Sequence, residues 1–145
     1  MSYTIDVNIL LYASDRTSPF HVAAADFLRK RSDDPEILCL TWPTIMGYIR
    51  LATHPRIFDN PMSPQEAIDN IARLMQMPRC RVVVESDDFM TSFREIIAGV
   101  TTRGNLVPDA HLAALMRIHD IRTIYTHDRD FLKFTFLKVI DPVAQ

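Results

Sequence analysis

Three aspartates stand at points of the sequence where an apolar run ends or a helical segment begins. They are Asp6 at the end of the first apolar run, Asp109 at the start of a late helical segment, and Asp128 just past a late apolar run. Each lies beside apolar residues, so we expect its carboxylate to be partly desolvated. Carboxylates that share such a place repel one another unless a proton or a cation intervenes. Because Mg²⁺ and Mn²⁺ take oxygen ligands, the three acids predict a site for a divalent cation.

Each of these aspartates also has a purely structural interpretation. An aspartate at the start of a helix is often an N-cap, which would account for Asp109. Asp128, together with Asp130, could cap a short helix that follows. Asp6 is harder to explain in this way, because an acid at the end of an apolar strand seldom has a structural role. Taken together, the three positions favour a metal site over three independent caps.

Other residue types exclude several kinds of site. The three glycines are too far apart for a phosphate-binding loop or a dinucleotide fingerprint, and the five histidines lack the spacing of a zinc site. Two histidines next to candidate acids, His111 and His127, could contact a substrate. Cys39 and Cys80 have no C-x-x-C partner, which predicts reduced core thiols and a cytoplasmic protein. Trp42 is expected in the core rather than in a platform for stacked bases.

Strands and helices alternate along the chain, and this alternation predicts the fold. The expected strands are Tyr3–Val7, Ile37–Leu40, Arg81–Val84, Arg122–Thr126 and Phe136–Val139. Five helices are expected. The first covers the segment from Pro19 to Arg31 and the second begins at Trp42-Pro43. The third follows the cap Ser63, the fourth follows the cap Ser86-Asp87-Asp88, and the fifth begins at Pro108-Asp109. The pattern is typical of an α/β protein, so we predict a three-layer α/β/α sandwich with a mostly parallel sheet of about five strands. Sites in such sheets form at the carboxyl ends of the strands, where the acids would meet.

Length and composition favour one globular domain. The chain has 145 residues, of which 48% are hydrophobic and 23% charged, so we expect a single domain over residues 1–145. A net charge of −2 means that a polyanion would have to be held by a local basic patch. No apolar segment is long enough to span a bilayer and no signal peptide begins the chain. We therefore expect no association with a membrane.

Three stretches carry the candidate acids: IDVNILLY from Ile5, NLVPDAHLAA from Asn105, and THDRDF from Thr126. Together with RLATHPRIF from Arg50 and PMSP from Pro61, they resemble the PIN-domain ribonucleases. More narrowly, they resemble the VapC toxins of bacterial toxin–antitoxin pairs. The resemblance covers essentially the whole chain, with the acidic motifs in the family's order.

The resemblance implies a parallel α/β/α domain that acts as a Mg²⁺- or Mn²⁺-dependent endoribonuclease. Asp6 and Asp109 would be the principal metal ligands, and Asp128 a further ligand, direct or through water. The supporting residues would be Asn8, Thr126 and Asp130. The first two would orient the acids by hydrogen bonds, and the third would add a carboxylate at the rim. The implied partners are an RNA substrate, a cognate VapB-type antitoxin and a second copy of the chain.

One departure from the family's pattern concerns the helix after the second strand. Many members carry a glutamate there, but the segment from Trp42 to Arg50 holds no acid, and Thr44 or Gly47 occupies the position. With one carboxylate fewer, a second metal ion would be held more weakly, so either one or two metals remain open. The departure also leaves open a degenerate PIN domain that binds RNA or a partner without cleaving it.

Overall fold

The fold is built on one parallel sheet. The structure is a computed structural model that describes residues 1–144. Its strands are β1 Ser2–Ile5, β2 Ile37–Thr41, β3 Cys80–Val83, β4 Thr123–Tyr125 and β5 Lys138–Ile140. They lie in the order β3-β2-β1-β4-β5, and every neighbouring pair is parallel. The predicted α/β fold is confirmed, and the sheet, expected to be mostly parallel, is parallel throughout these five strands.

Helices connect the strands within residues 1–144. They are α1 Val7–Ser14, α2 His21–Arg31, α3 Trp42–Ala52, α4 Pro64–Met75, α5 Phe89–Ile97, α6 Leu106–Ile118 and a 3-10 helix over Arg129–Lys133. The predicted cap of α4 is confirmed, because Ser63 Oγ accepts a hydrogen bond from the Glu66 N–H at 3.2 Å. The predicted start of α5 is confirmed, since Asp88 is its N-cap residue, but no side-chain capping bond forms there. Ser86 Oγ donates to the Asp88 carboxylate at 2.6 Å, and the Asp88 side chain caps no backbone N–H.

The helices cover both faces of the sheet. Alternate residues of β2 point to opposite faces, as a strand requires: Leu38 and Leu40 join one apolar cluster and Cys39 the other. The first cluster includes residues of α1, α2, α3 and α4, and the second includes residues of α5 and α6. The three-layer arrangement is therefore confirmed. Both cysteines are free, as expected, and Cys39 is buried.

Two helices near candidate acids differ from the predictions: α1 was not predicted as a helix, and α6 begins earlier than predicted. β1 ends at Ile5 and α1 begins at Val7, so Asp6 is the N-cap of α1 rather than part of a strand. α6 begins at Leu106, two residues before Pro108. A proline is tolerated there because the first N–H groups of a helix have no partner within it. Asp109 therefore lies inside the first turn, and its interpretation as an N-cap is wrong.

The prediction that Trp42 lies in the core is also wrong. Trp42 is the first residue of α3 and its side chain is 47% exposed. Met46, one turn further along the same helix, is 56% exposed. An apolar patch therefore lies on the outer face of α3 where that helix leaves the carboxyl end of β2. Among residues 1–144, no helix combines the length and the apolar character that crossing a membrane requires.

Candidate metal centre

Asp6 is held at the junction of β1 and α1. Its backbone N–H continues the pairing of β1 with β4 by donating to the Tyr125 carbonyl at 2.9 Å. Its side chain accepts two hydrogen bonds, from the Val7 N–H to Oδ1 and from Thr126 Oγ1 to Oδ2, both at 2.7 Å. Burial raises the pKa of Asp6 although these hydrogen bonds act to lower it, and the charge of Asp128 adds to the rise. The carboxylate is thus fixed in place, and its ionisation is unfavourable unless a positive charge lies nearby.

The hydroxyl of Thr126 connects three residues of the site. While Oγ1 donates to Asp6, it accepts from the Asp128 N–H at 2.9 Å and from Asn8 Nδ2 at 3.4 Å. The threonine is almost completely buried, and its backbone N–H is bound to the Ile140 carbonyl. One fixed side chain therefore sets Asp6 and Asp128 relative to each other, although they lie far apart in the sequence.

Asn8 supplies a polar atom with no partner in the described part of the chain. Its Oδ1 is buried and accepts no hydrogen bond there. A buried oxygen without a partner costs free energy unless something binds it. Asn8 lies on the first turn of α1, directly beside Thr126. A cation, or a water molecule held by a cation, would supply the partner that this oxygen lacks.

The carboxylates of Asp109, Asp128 and Asp130 form the tightest acidic group. One oxygen atom from each lies within 4.8 Å of the others. The pKa of Asp109 is raised to about 7, first by burial and then by the charges of Asp128, Asp6 and Asp130. A carboxyl group that remains protonated near neutral pH marks a place where negative charge is crowded. Asp6 lies outside this group of three, although its charge acts on Asp109.

Asp128 and Asp130 combine a structural and a potential ligand role. Oδ1 of Asp128 accepts a hydrogen bond from the Asp130 N–H at 2.9 Å and so caps the 3-10 helix. This is the capping role that the sequence left open for Asp128. Asp130 is exposed at the rim, where its Oδ1 lies 3.4 Å from the Nζ of Lys133. Sequence reasoning missed Lys133, for which the three-residue spacing from Asp130 was the available signal.

The structure distinguishes the two positions considered for the absent glutamate. Thr44 is buried and its Oγ1 accepts a hydrogen bond from Thr41 Oγ1 at 3.0 Å, so it belongs to the N-cap of α3. Gly47 faces the start of α1 instead. A Cβ atom there would lie 3.8 Å from the Cγ2 of Val7, the residue after Asp6. Gly47 is therefore the position of α3 from which a side chain could approach the site.

The two histidines singled out in the sequence are bound to acids outside the group of three carboxylates. Nε2 of His111 lies 2.6 Å from Glu85, and its ring packs against that of Phe89. Nδ1 of His127 lies 2.7 Å from Oδ2 of Asp141. A direct contact of either ring with a substrate is not tested by this arrangement and stays a prediction.

The chain is thus a parallel α/β/α domain with acids gathered at the carboxyl edge of its central strands. The sequence profile of the PIN domain family matches residues 3–137. The chain therefore belongs to the PIN domain family.

Curated relatives place the chain more narrowly, among the VapC-type members of that family. It is 44% identical over 144 residues to a protein of Mycobacterium tuberculosis named ribonuclease VapC48, covering 99% of both chains. It is 31% identical over 139 residues to ribonuclease VapC43 of the same species, covering 96% of this chain and 94% of the relative.

Solved structures share the fold. The toxin VapC20 of Mycobacterium tuberculosis, described as cleaving the sarcin–ricin loop, superposes with a TM-score of 0.68 at 20% identity, over 96% of this chain and 99% of that one. VapBC-1 of nontypeable Haemophilus influenzae superposes with a TM-score of 0.68 at 18% identity, over 99% of this chain and 100% of the matched chain.

Proposed function

We propose that this chain, as one domain over residues 1–145, is a Mg²⁺- or Mn²⁺-dependent endoribonuclease and the toxin of a VapBC pair. The observation that carries the proposal is the group of Asp109, Asp128 and Asp130. One oxygen of each lies within 4.8 Å of the others, and the charge of Asp6 also acts on Asp109. Such crowding costs free energy unless a cation neutralises it. The names of the relatives, ribonucleases VapC48 and VapC43, support the same activity.

The residues present fit a divalent cation. Hard cations prefer carboxylate, carbonyl and water oxygens, and the site offers the carboxylates together with the unpartnered Oδ1 of Asn8. In this proposal Asp6, Asp109 and Asp128 hold the ion, and Asp130 adds a carboxylate at the rim. A bound Mg²⁺ or Mn²⁺ would supply positive charge that lowers the pKa of the attacking water and neutralises the non-bridging phosphate oxygens.

Side chains of the site would orient the ligands, accept a proton and bind the RNA. Thr126 and Asn8 hold Asp6 and the segment that carries Asp128, so the ligands need not reorganise when RNA binds. Asp128 would accept the proton of the attacking water. As the water oxygen bonds to phosphorus, the bond from phosphorus to the 3′-oxygen would break, and the leaving 3′-oxygen would take up a proton from solvent. The products would carry 5′-phosphate and 3′-hydroxyl ends. Lys133 lies at the rim, where its ammonium group can pair with a phosphate of the RNA.

The test is cleavage of RNA by the purified protein, free of any antitoxin, with mapping of the new ends. We expect cleavage with Mg²⁺ or Mn²⁺, 5′-phosphate products, and no cleavage with EDTA or by the Asp6→Asn variant. The alternative is a PIN domain that binds RNA or a partner without cutting. Binding of RNA with no metal-dependent cleavage over a wide panel of RNAs would favour that alternative and contradict the proposal.

The proposed partners are an antitoxin of the VapB type, the RNA substrate and a second copy of the chain. Structural matches include a VapBC complex from Rickettsia felis bound to a promoter DNA fragment. That likeness supports a small antitoxin partner, which co-purification with a neighbouring gene product would reveal. The exposed Trp42 and Met46 on α3 support self-association, since a contiguous apolar surface is commonly covered by a partner.

Gly47→Glu is expected to tighten the binding of Mn²⁺ by about tenfold, because an added carboxylate makes the site more negative. The side chain has room, since only the Val7 Cγ2 atom lies within 4 Å of the new Cβ, at 3.8 Å. Gly47→Gln is the matched control: it has the same size and the same gain in helix propensity, but no charge. Calorimetric titration of the metal-free variants measures the effect. Equal affinities of the Glu and Gln variants would show that position 47 does not reach the ion.

A further inference from the structure

The segment 126–128 carries two residues of the site, Thr126 and Asp128, and between them His127, whose ring is held by other parts of the chain. We propose that His127 is a positioning residue: by anchoring this segment, it sets where the carboxylate of Asp128 lies among the acids. This role rests on the metal-dependent cleavage proposed above and adds a residue to it.

The first anchor is a hydrogen bond to Asp141, the residue after β5. Nδ1 of His127 lies 2.7 Å from Oδ2 of Asp141, and because a carboxylate only accepts, Nδ1 carries the proton. Asp141 is fixed in turn, since its Oδ1 accepts from the Val143 N–H at 3.0 Å. Val143 lies in the core with 1% of its surface exposed. The histidine is thus tied to a buried part of the chain.

The second anchor is aromatic packing. The centroid of the His127 ring lies 4.6 Å from that of Phe20 and 5.9 Å from that of Tyr12. The Tyr12 and Phe20 rings are themselves 4.9 Å apart. The three rings are tilted or edge-to-face at separations where aromatic groups attract one another. The imidazole is therefore held by α1 and by the residue that precedes α2.

The segment contacts the helix that Asp6 caps at two points. Asn8 and Tyr12 are four residues apart, so they lie on the same face of α1. Asn8 contacts Thr126, and Tyr12 contacts His127. Successive residues of the segment therefore meet successive turns of α1. A displacement of the His127 ring would shift the segment along this helix and change its distance from Asp6.

Side chains carry most of this restraint, because the pairing of strands ends where the segment begins. The Thr126 N–H is the last to bind β5, at 2.9 Å from the Ile140 carbonyl. The next bonded N–H, that of Asp128, turns back to Thr126 Oγ1. Between these two residues, the ring of His127 is the group that connects the segment to α1 and to Asp141.

The experiment compares His127→Ala, which removes both anchors, with His127→Phe, which keeps the ring packing and removes the hydrogen bond. Mn²⁺ alone is titrated into the metal-free proteins by calorimetry. We expect the dissociation constant to rise by about tenfold in His127→Ala and by less in His127→Phe. Asp141→Asn keeps an acceptor oxygen and should retain the wild-type affinity. For RNA cleavage, kcat should fall by about tenfold in His127→Ala, with KM nearly unchanged.

His119→Ala is the matched control. Its imidazole is also hydrogen-bonded, from Nε2 to the Val84 carbonyl at 2.7 Å, but it follows the last turn of α6, whereas Asp109 lies on the first turn. If His127→Ala and His127→Phe lower only the melting temperature and bind Mn²⁺ like the wild type, the positioning role is wrong. Absence of Mn²⁺ binding by the wild-type protein would instead overturn the proposed function itself. The titration of the unmodified chain therefore separates the two failures.

Discussion

Replacement of Asp109 by asparagine is expected to lower the rate of RNA cleavage by about a thousandfold, because the proposed site would lose a ligand charge that the other acids cannot replace. A metal ion contributes several kcal/mol to the stabilisation of charge in a hydrolytic transition state, and about 1.4 kcal/mol corresponds to tenfold in rate. Asparagine has the same shape, so the first turn of α6 should remain intact. Single-turnover cleavage at saturating Mn²⁺ measures the effect.

The same substitution is expected to stabilise the metal-free protein above neutral pH. Asp109 keeps its proton in the folded protein up to about pH 7, whereas its ordinary pKa is 3.8. Between these values the folded state holds more protons than the unfolded chain, so the free energy of unfolding falls as the pH rises. Above pH 7 the folded protein bears the full free-energy cost of ionising Asp109, and below the ordinary pKa of 3.8 it bears none. Asparagine carries no charge and avoids that cost.

Because the Asp109 side chain is only partly buried, water screens part of the repulsion between it and the neighbouring acids. We therefore expect Asp109→Asn to gain about 1 to 2 kcal/mol, or about 3 to 6 °C in melting temperature at pH 8, in EDTA. Near pH 4 the gain should vanish. The control is Asp87→Asn, an exposed aspartate that follows β3, which should leave both activity and melting temperature unchanged. A variant that cleaves RNA like the wild type would show that Asp109 is not a ligand.

Local sequence patterns could predict the elements and the places of the acids, because both depend on neighbouring residues. Apolar runs marked the strands within one or two residues, and the box from Ser63 to Glu66 marked the start of α4. The start of α6 was misjudged because Pro108 suits the first position of a helix and here stands at the third. Trp42 was misjudged because hydrophobicity alone does not say which side of a helix faces the core.

The arrangement inside the site could not be predicted in the same way, since it depends on which strands lie side by side. Thr126 reaches Asp6 because β4 pairs with β1, and His127 reaches Asp141 because β4 pairs with β5. Strand order carries no local signal in the sequence. The raised pKa of Asp109 likewise follows from burial and from charges that the fold brings together. Only the resemblance to a family suggested Thr126 as a partner of the acids.

The affinity of the protein for Mn²⁺ is expected to depend steeply on pH below neutrality. A metal ion binds the ionised carboxylate, so it must displace the proton that Asp109 holds up to about pH 7. For one displaced proton the apparent affinity falls by about tenfold for each pH unit below this value. Above it, the affinity should level off. Because the acids of the site are coupled, the transition belongs to the group rather than to one residue.

Calorimetric titrations of Mn²⁺ between about pH 5.5 and pH 8.5, in buffers of different ionisation enthalpy, measure both the affinity and the protons released. We expect about one proton released per ion near pH 6 and almost none near pH 8.5. In Asp109→Asn this release should become smaller over the same range, since one of the coupled acids that hold protons has been removed. An affinity that stays constant between about pH 5.5 and pH 7 would show that the ion displaces no proton from Asp109, and would contradict its role as a ligand.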